Sequence, residues 1–121
     1  MKRPIIVKVA DVEGVKKDPP RVSRLLLSGK NVGAENASMG LNITEVGSMI
    51  PNHKHEESEE LMYIISGRAR LVIEDGEEVY EVGPDTAIYS PRGKMHRLEN
   101  IGDTELKLVW VYSPPLPQHR A

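Results

Sequence analysis

Residues 47–67 read GSMIPNHKHEESEELMYIISG and contain His53 and His55, separated by one residue, with Glu60 five residues further on. On an extended strand alternate side chains share a face, so the two imidazoles are expected to point the same way. Neutral imidazole nitrogens and carboxylate oxygens are ligands that first-row divalent metals accept. A third imidazole, His96, lies in the segment SPRGKMHRLEN and would complete the set. The pattern predicts a metal site formed by His53, His55, Glu60 and His96.

Both segments match known motifs. Residues 47–67 fill every fixed position of G-x5-H-x-H-x4-E-x6-G, and residues 91–100 fill P-x-G-x2-H-x3-N. On these motifs the chain resembles the cupin superfamily, and in particular its small, single-domain, RmlC-like metal-binding members. The second motif normally opens with a glycine six residues before Pro91, but Asp85 stands there. Because that position belongs to a turn, the departure concerns loop geometry and not the metal ligands.

The resemblance implies an all-β fold, a single-domain double-stranded β-helix or jelly-roll barrel, over residues 1–121. We expect an N-terminal strand and arm (1–20), the barrel (21–113) and a Pro-rich C-terminal tail (114–121). The local sequence pattern also indicates a β-sandwich or barrel, because short β-type segments recur about every eight to twelve residues between turn signals. Helix is the alternative for residues 21–28. The predicted strands are 4–10, 21–28, 41–46, 60–65, 68–74, 77–82, 86–90, 95–100 and 106–112.

Two turns set the expected register. Ser66-Gly67 is interpreted as a two-residue hairpin loop and Asp75-Gly76 as a second hairpin turn that needs positive φ. Directly opposed residues share a face, so an inward Glu60 fixes the faces of the neighbouring strands. The residues predicted to point inward are Met62, Ile64, Ala69, Leu71, Ile73, Tyr80, Leu98, Asn100, Leu106, Leu108, Trp110 and Tyr112. Those predicted to form an apolar outer face are Leu61, Ile65, Val72, Val109 and Val111.

Some site assignments keep alternatives. Glu59 is the alternative to Glu60 as a ligand if the loop is one residue shorter, whereas Glu56 and Glu57 are expected to be solvated. His119, in the Pro-rich tail, is interpreted as an ordinary surface or core histidine. Three further residues are candidate lining of a substrate pocket: Met62, Tyr80 and Trp110. Packing in the core is the simpler role for all three.

The turn before His96 carries two cations, Arg92 and Lys94. At the rim of a pocket they would favour anionic substrates. The alternative, which we prefer from the sequence, is that they are ordinary turn charges.

Three imidazoles and one carboxylate would leave two positions of an octahedral metal open. Such a set suits Fe(II), Mn(II), Ni(II), Co(II) or Zn(II), and affinity alone does not choose among them. The resemblance to cupins implies a dioxygenase, decarboxylase, isomerase or lyase acting on a small oxygenated substrate, such as a carboxylate, a sugar or a diketone-like molecule. The alternatives are a non-catalytic module that binds a sugar or another small molecule, and a metal-free epimerase with His96 as general base.

Composition narrows the partners. The 121 residues suffice for one domain, and the net charge of −2 comes with scattered charges and no basic stripe, so no nucleic acid is expected. No apolar run approaches the length of a membrane span, and with no signal-peptide core we expect a cytoplasmic protein. The absence of cysteine excludes disulfides and thiolate metal sites. The apolar outer face and the resemblance to small cupins together predict a homodimer.

Overall fold

The computed structural model describes residues 3–121, in which ten β-strands form two sheets. One short α-helix, α1 (Gly29–Val32), and three 3₁₀ turns (Val9–Asp11, Glu74–Gly76 and Pro117–His119) are also present in this part of the chain. The strands are β1 (Val15–Lys17), β2 (Arg21–Leu27), β3 (Ser38–Thr44), β4 (Met49–His53), β5 (Glu59–Ser66), β6 (Ala69–Ile73), β7 (Glu78–Val82), β8 (Thr86–Ser90), β9 (His96–Asn100) and β10 (Leu106–Ser113).

The strands pair antiparallel throughout. The larger sheet has the order β1-β2-β3-β10-β5-β8, and the smaller has the order β4-β9-β6-β7. After β3 successive strands alternate between the sheets, except that β6 and β7 are neighbours in the smaller sheet, so the chain winds around a shared interior as in a jelly roll. This confirms the predicted all-β cupin fold class. Among residues 3–121, no helix is long and apolar enough to cross a membrane.

The core lies between the sheets and is largely aliphatic. In β9 and β10 every second residue is buried, from His96 to Asn100 and from Leu106 to Tyr112, as the alternation predicts. Burying one large apolar side chain contributes about 1.5–3 kcal/mol, so this interior supplies much of the stability. The buried cluster consists of Met62, Ile64, Ala69, Leu71, Leu98, Leu106, Leu108, Trp110, Tyr112 and Leu116.

Asn100 ties the two sheets together at one end of the core. Its amide Nδ2 donates to the carbonyl oxygens of Thr44 (3.1 Å), Glu45 (3.1 Å) and Thr104 (3.0 Å), and its Oδ1 accepts from the Gly102 N–H (3.0 Å). The side chain is buried, so these bonds satisfy backbone groups that water does not reach. Asn100 therefore has the structural, backbone-bonding role that its position suggests.

The predicted Ser66-Gly67 hairpin is wrong. β5 pairs with β10 and β8, whereas β6 pairs with β9 and β7, so this turn carries the chain from one sheet to the other. Gly67 has φ +93, and a Cβ there would lie 2.7 Å from the carbonyl oxygen of Glu105. The glycine serves a close crossing of two chain segments and not a tight hairpin. The predicted inward face of β5 still holds, because alternation along a strand does not depend on its partner. On β6, Ala69 and Leu71 are buried as predicted, but the prediction that Val72 faces outward is wrong, since it is 2% exposed.

The Asp75-Gly76 turn is confirmed, with a longer loop than expected. Leu71 pairs with Tyr80 as predicted, but the last pair is Ile73–Glu78, which leaves four residues in the loop. Asp75 and Gly76 both have positive φ, 56° and 109°. Tyr80, predicted to point inward, is 50% exposed because β7 is the edge strand of the smaller sheet.

The N-terminal segment differs from the prediction. Residues 4–10 form no strand: a segment without regular secondary structure leads into the 3₁₀ turn Val9–Asp11, and the first paired strand is β1. β-Branched residues favour extended backbone, but a strand also needs a partner, and Ile6 remains 88% exposed. β3 begins at Ser38, earlier than predicted, and α1 lies inside the expected loop.

The turn that holds Asp85 explains how the chain departs from the usual motif. Asp85 has φ +59, a left-handed conformation in which glycine is favoured and Asp is better tolerated than most residues. Its carboxylate accepts a hydrogen bond from the Tyr63 hydroxyl (2.7 Å), and its N–H donates to the Ile64 carbonyl (2.8 Å). The turn thus keeps its backbone shape without glycine.

Candidate metal centre

Three of the four predicted ligands converge inside the sandwich. His53 ends β4 and His96 begins β9; the two are direct cross-strand partners with ring centroids 4.2 Å apart. Glu60 reaches them from β5 in the other sheet. Its Oε1 lies 2.9 Å from His96 Nε2 and 3.0 Å from His53 Nε2. Glu60 and His96 are 5% and 2% exposed and so are shielded from water, whereas His53 is half-buried.

The second nitrogen of each imidazole is held by the surrounding chain. His53 Nδ1 lies 3.0 Å from the Pro51 carbonyl oxygen, and His96 Nδ1 lies 2.9 Å from Ser90 Oγ and 3.3 Å from the Lys94 carbonyl oxygen. A carbonyl accepts only from a protonated nitrogen, so these contacts direct both Nε2 atoms toward Glu60. Hydrogen bonds of this kind orient metal-binding histidines in many proteins.

The electrostatics of the group favour a charged Glu60. Burial alone would raise the pKa of this carboxyl, but hydrogen bonds from His53 and His96 outweigh it and lower the pKa to about 2. Burial would lower the pKa of His53, yet its hydrogen bond to Glu60 raises the pKa above the ordinary value. The Glu60 carboxylate and the two Nε2 atoms thus lie together where a cation would bind. An oxygen and two nitrogens that gather positive charge in this way fit a divalent metal.

His55 lies beside this group but does not join it. β4 ends at His53, so His55 lies outside the strand. The prediction that both histidines share a strand face is therefore wrong. The His55 ring centroid lies 5.4 Å from that of His53 and 4.9 Å from that of Tyr112. By contrast, the ligand atoms of His53, Glu60 and His96 all lie within 4.8 Å of one another. Burial, followed by the charge of His53, lowers the pKa of His55, so its imidazole is biased toward the neutral form that binds metals.

Glu59 lies elsewhere. Its carboxylate accepts a hydrogen bond from the Tyr89 hydroxyl (2.8 Å) on the exposed side of the sheet. The loop therefore has the length that directs Glu60, and not Glu59, into the interior.

A cavity of about 400 Å³ opens onto Glu60, His53 and His55. This volume falls in the range of small-molecule sites. Its walls combine apolar and aromatic side chains with a few polar groups, and both Met62 and Trp110 line it, where the sequence places candidate pocket residues. The other wall residues used below are Lys17, Arg21, Leu108, Tyr112 and His119.

The third candidate pocket residue, Tyr80, is not brought to this cavity. It lines a smaller cavity of about 280 Å³, together with Leu71, Ile73, Ile88 and Lys94. Arg92 is exposed and lines neither cavity. The cations at the larger cavity are instead Lys17 and Arg21.

The sequence interpretation missed His119. The C-terminal tail folds back over the sheet, with Leu116 buried in the core and His119 in the cavity wall. His119 Nδ1 lies 2.8 Å from Ser38 Oγ, and its ring stacks on Trp110 at a centroid distance of 5.4 Å. Burial lowers the pKa of His119. No local pattern in a Pro-rich tail signals this position.

Gly40 offers a sequence signal for the aromatic wall. A Cβ at Gly40 would lie 2.0 Å from the indole of Trp110, its cross-strand partner. The glycine therefore leaves room for the indole to lie flat against β3. A glycine inside a strand marks such close approaches.

The family assignment follows from comparison with known proteins. Residues 41–112 match the family model described as "Cupin domain". The polyketide synthase CurC of Streptomyces cyaneus is 35% identical over 116 residues, which cover 96% of this chain and 73% of CurC. The polyketide cyclase RemF of Streptomyces resistomycificus is 27% identical with a TM-score of 0.76, over 93% and 79% of the two chains. KdgF of Halomonas sp. has a TM-score of 0.82 at 14% identity, over 96% and 98%, which shows the shared fold. The chain belongs to the cupin family.

Proposed function

We propose that this cupin is a metal-dependent enzyme that acts on a small, oxygen-rich molecule bound in the larger cavity. The observation that carries the proposal is one carboxylate oxygen, Glu60 Oε1, within 3.0 Å of two imidazole Nε2 atoms at a shielded end of an open cavity. A buried acid and two imidazoles arranged in this way have little structural purpose, since apolar residues of similar volume would stabilise the interior as well.

His53, Glu60 and His96 would hold the metal, with His55 as a fourth ligand. The set of nitrogen and oxygen donors suits Fe(II), Mn(II), Ni(II), Co(II) or Zn(II). When bound, such an ion supplies Lewis-acid chemistry at a substrate oxygen or lowers the pKa of a bound water.

The cavity wall would orient the substrate and exclude water. Met62, Leu108 and Trp110 present apolar surface beside the site. Burial and the neighbouring Glu60 carboxylate raise the pKa of Tyr112, so its phenol stays protonated and can donate a hydrogen bond. The similarity to proteins described as a polyketide synthase and a polyketide cyclase supports a substrate with several carbonyl oxygens, such as a diketone-like chain.

The metal-free epimerase alternative fits less well. A general base must reach the substrate, but His96 is 2% exposed and both of its ring nitrogens contact protein atoms. A non-catalytic binding module would use the same cavity and is separated from an enzyme only by turnover.

Metal content and turnover test the proposal together. The protein, stripped with chelator and reloaded, is expected to hold one divalent ion per chain by elemental analysis. His96→Ala and Glu60→Gln should lose it, whereas Lys54→Ala, at an exposed neighbouring position, should retain it. The loaded protein should consume at least one member of a panel of linear β-diketones, with and without a terminal carboxylate, followed by their enol absorbance. Absence of metal binding in the wild type would refute the proposal, and metal binding without any turnover would favour the binding module.

We also propose that two copies associate through the outer face of the larger sheet. Leu61, Tyr63 and Ile65 on β5 are 46%, 43% and 40% exposed, and Tyr89 on neighbouring β8 is 58% exposed. Clustered apolar side chains on a sheet face favour a protein partner. Val109 and Val111 on β10 continue this face and are half-buried, whereas Val72, in the smaller sheet, is 2% exposed and does not contribute.

A further inference from the structure

Two cations oppose each other on one wall of the larger cavity. Lys17 on β1 and Arg21 on β2 are direct cross-strand partners, and both line the cavity. Like charges directly opposite on an antiparallel pair are destabilising. The acid whose charge acts on Arg21 is Asp18, which lies on the connecting turn and does not line the cavity. The fold therefore keeps an unfavourable pair at the place where a ligand enters.

Arg21 is prepared to bind a ligand. Its Nη1 donates to the Pro19 carbonyl oxygen (3.0 Å), which fixes the guanidinium and leaves its other N–H groups available. The side chain is half-buried, and its charge acts on His53. Arg21 thus belongs to the same electrostatic environment as the candidate metal centre, although it lies 32 residues before His53 in the chain.

Apart from Glu60, no lining residue of the cavity is an acid that could neutralise these cations. Glu60 is the one carboxylate among its lining residues, and its Oε1 is already shared by His53 and His96. A bound divalent cation would add further positive charge. The remaining partner for Lys17 and Arg21 is an anion that comes with the ligand, because a fork of N–H donors and an ammonium match the oxygens of a carboxylate or a phosphate.

We propose that Lys17 and Arg21 form a binding site for an oxyanion group of the ligand, so that this cupin selects small carboxylates or phosphates whose apolar part lies against Trp110. This extends the proposed function by naming the substrate class. That the bound oxyanion is a substrate rests on the proposed function, whereas its binding to Lys17 and Arg21 does not. Because the two cations are separate from the metal ligands, the oxyanion site can be tested in metal-free protein.

The test uses calorimetric titration of three matched probes, benzoate, phenyl phosphate and benzamide, into chelator-treated protein. Benzoate or phenyl phosphate should bind saturably and more tightly than neutral benzamide, and the stronger of the two identifies the oxyanion. Arg21→Gln should weaken that binding by about tenfold or more, the usual effect of losing a charged hydrogen bond, and Arg21→Lys should restore part of it. Lys17→Gln should also weaken it, whereas Lys16→Gln, on the opposite face of β1, should not.

A second readout separates binding from structure. Lys17→Gln removes the repulsion, so its urea midpoint should equal or exceed that of the wild type while its affinity for the oxyanion falls. Equal affinities for all three probes, or equal losses in Lys16→Gln and Arg21→Gln, would overturn the oxyanion site. Binding that requires metal and ignores Arg21→Gln would overturn it and leave the metal proposal intact. Oxyanion binding that depends on Arg21, in a protein that cannot be loaded with metal, would support the oxyanion site and overturn the metal proposal.

Discussion

Replacing Glu60 with Gln should remove a stabilising charge from the metal-free protein, by an amount that depends on pH. The folded-state pKa of Glu60 is about 2, against an ordinary value of 4.5. One pKa unit corresponds to about 1.4 kcal/mol, so the ionised carboxylate contributes about 3 kcal/mol to the free energy of unfolding. The side chain is almost fully buried, so solvent screening reduces this value little.

The sign follows from the direction of each pKa. A lowered folded-state pKa means that the contribution of Glu60 is present above about pH 4.5 and is lost as the pH falls toward 2. His53 has a raised pKa, so its contribution is present below 6.5 and is lost as the pH rises through its folded-state value. The difference in stability between the wild type and Glu60→Gln should therefore be greatest between about pH 4.5 and 6.5.

The assay is urea denaturation of both proteins in chelator, at half-unit intervals from about pH 2.5 to 8, which covers most of the loss of the Glu60 contribution on the acidic side. Taking the difference cancels the titration of all other carboxylates. The expected curve is a plateau of about 3 kcal/mol that declines on the acidic side and, less steeply, on the alkaline side. A difference that stays constant across this range would refute the claim that His53 and His96 hold Glu60 ionised.

Other predictions concern the framework and the assembly. Asn100→Ala should lower the free energy of unfolding, measured in urea, by about 2–3 kcal/mol, because buried backbone carbonyls lose their donor. A change below about 0.5 kcal/mol, which is typical of a surface substitution, would contradict the role of Asn100 in joining the two sheets. Gly40→Ala should cost about 1–3 kcal/mol and shift the emission of Trp110, the single tryptophan, since the added Cβ displaces the indole; unchanged emission would count against it. Leu61→Glu should convert a dimer to a monomer in light scattering at micromolar concentration, whereas Glu77→Lys, on an exposed loop, should not; a monomeric wild type would disprove the dimer.

Local alternation carries much of the fold prediction. The inward faces of β9 and β10, from His96 to Tyr112, follow directly from the period of two along a strand. The Leu71–Tyr80 register follows from turn residues that require positive φ. These features depend on a few neighbouring residues, so the sequence is enough to predict them.

Strand partners could not be obtained in the same way. A glycine after Ser66 is compatible with a hairpin and with a crossing between sheets, and the choice depends on β8 and β10, far along the chain. The N-terminal residues 4–10 show the converse case, since their β-type composition finds no partner in the described structure.

In the candidate site, too, some residues are predictable from local sequence and others are placed only by the tertiary structure. His53, Glu60 and His96 are marked by motif spacing, and the structure brings them together. Lys17, Arg21 and His119 reach the cavity only because β1, β2 and the tail fold against the same interior. The residues next to them in the sequence do not indicate that they line the cavity, because only the tertiary structure brings them there.

A crystal structure of the protein soaked with Co(II), with anomalous scattering to locate the ion, tests directly whether His53, Glu60 and His96 bind a metal. One ion is expected at about 2.0–2.2 Å from His53 Nε2, His96 Nε2 and a Glu60 oxygen, with the direct contacts among those three side chains broken. An ion bound elsewhere, or a saturated crystal in which Glu60 Oε1 still contacts both imidazoles, would contradict this prediction.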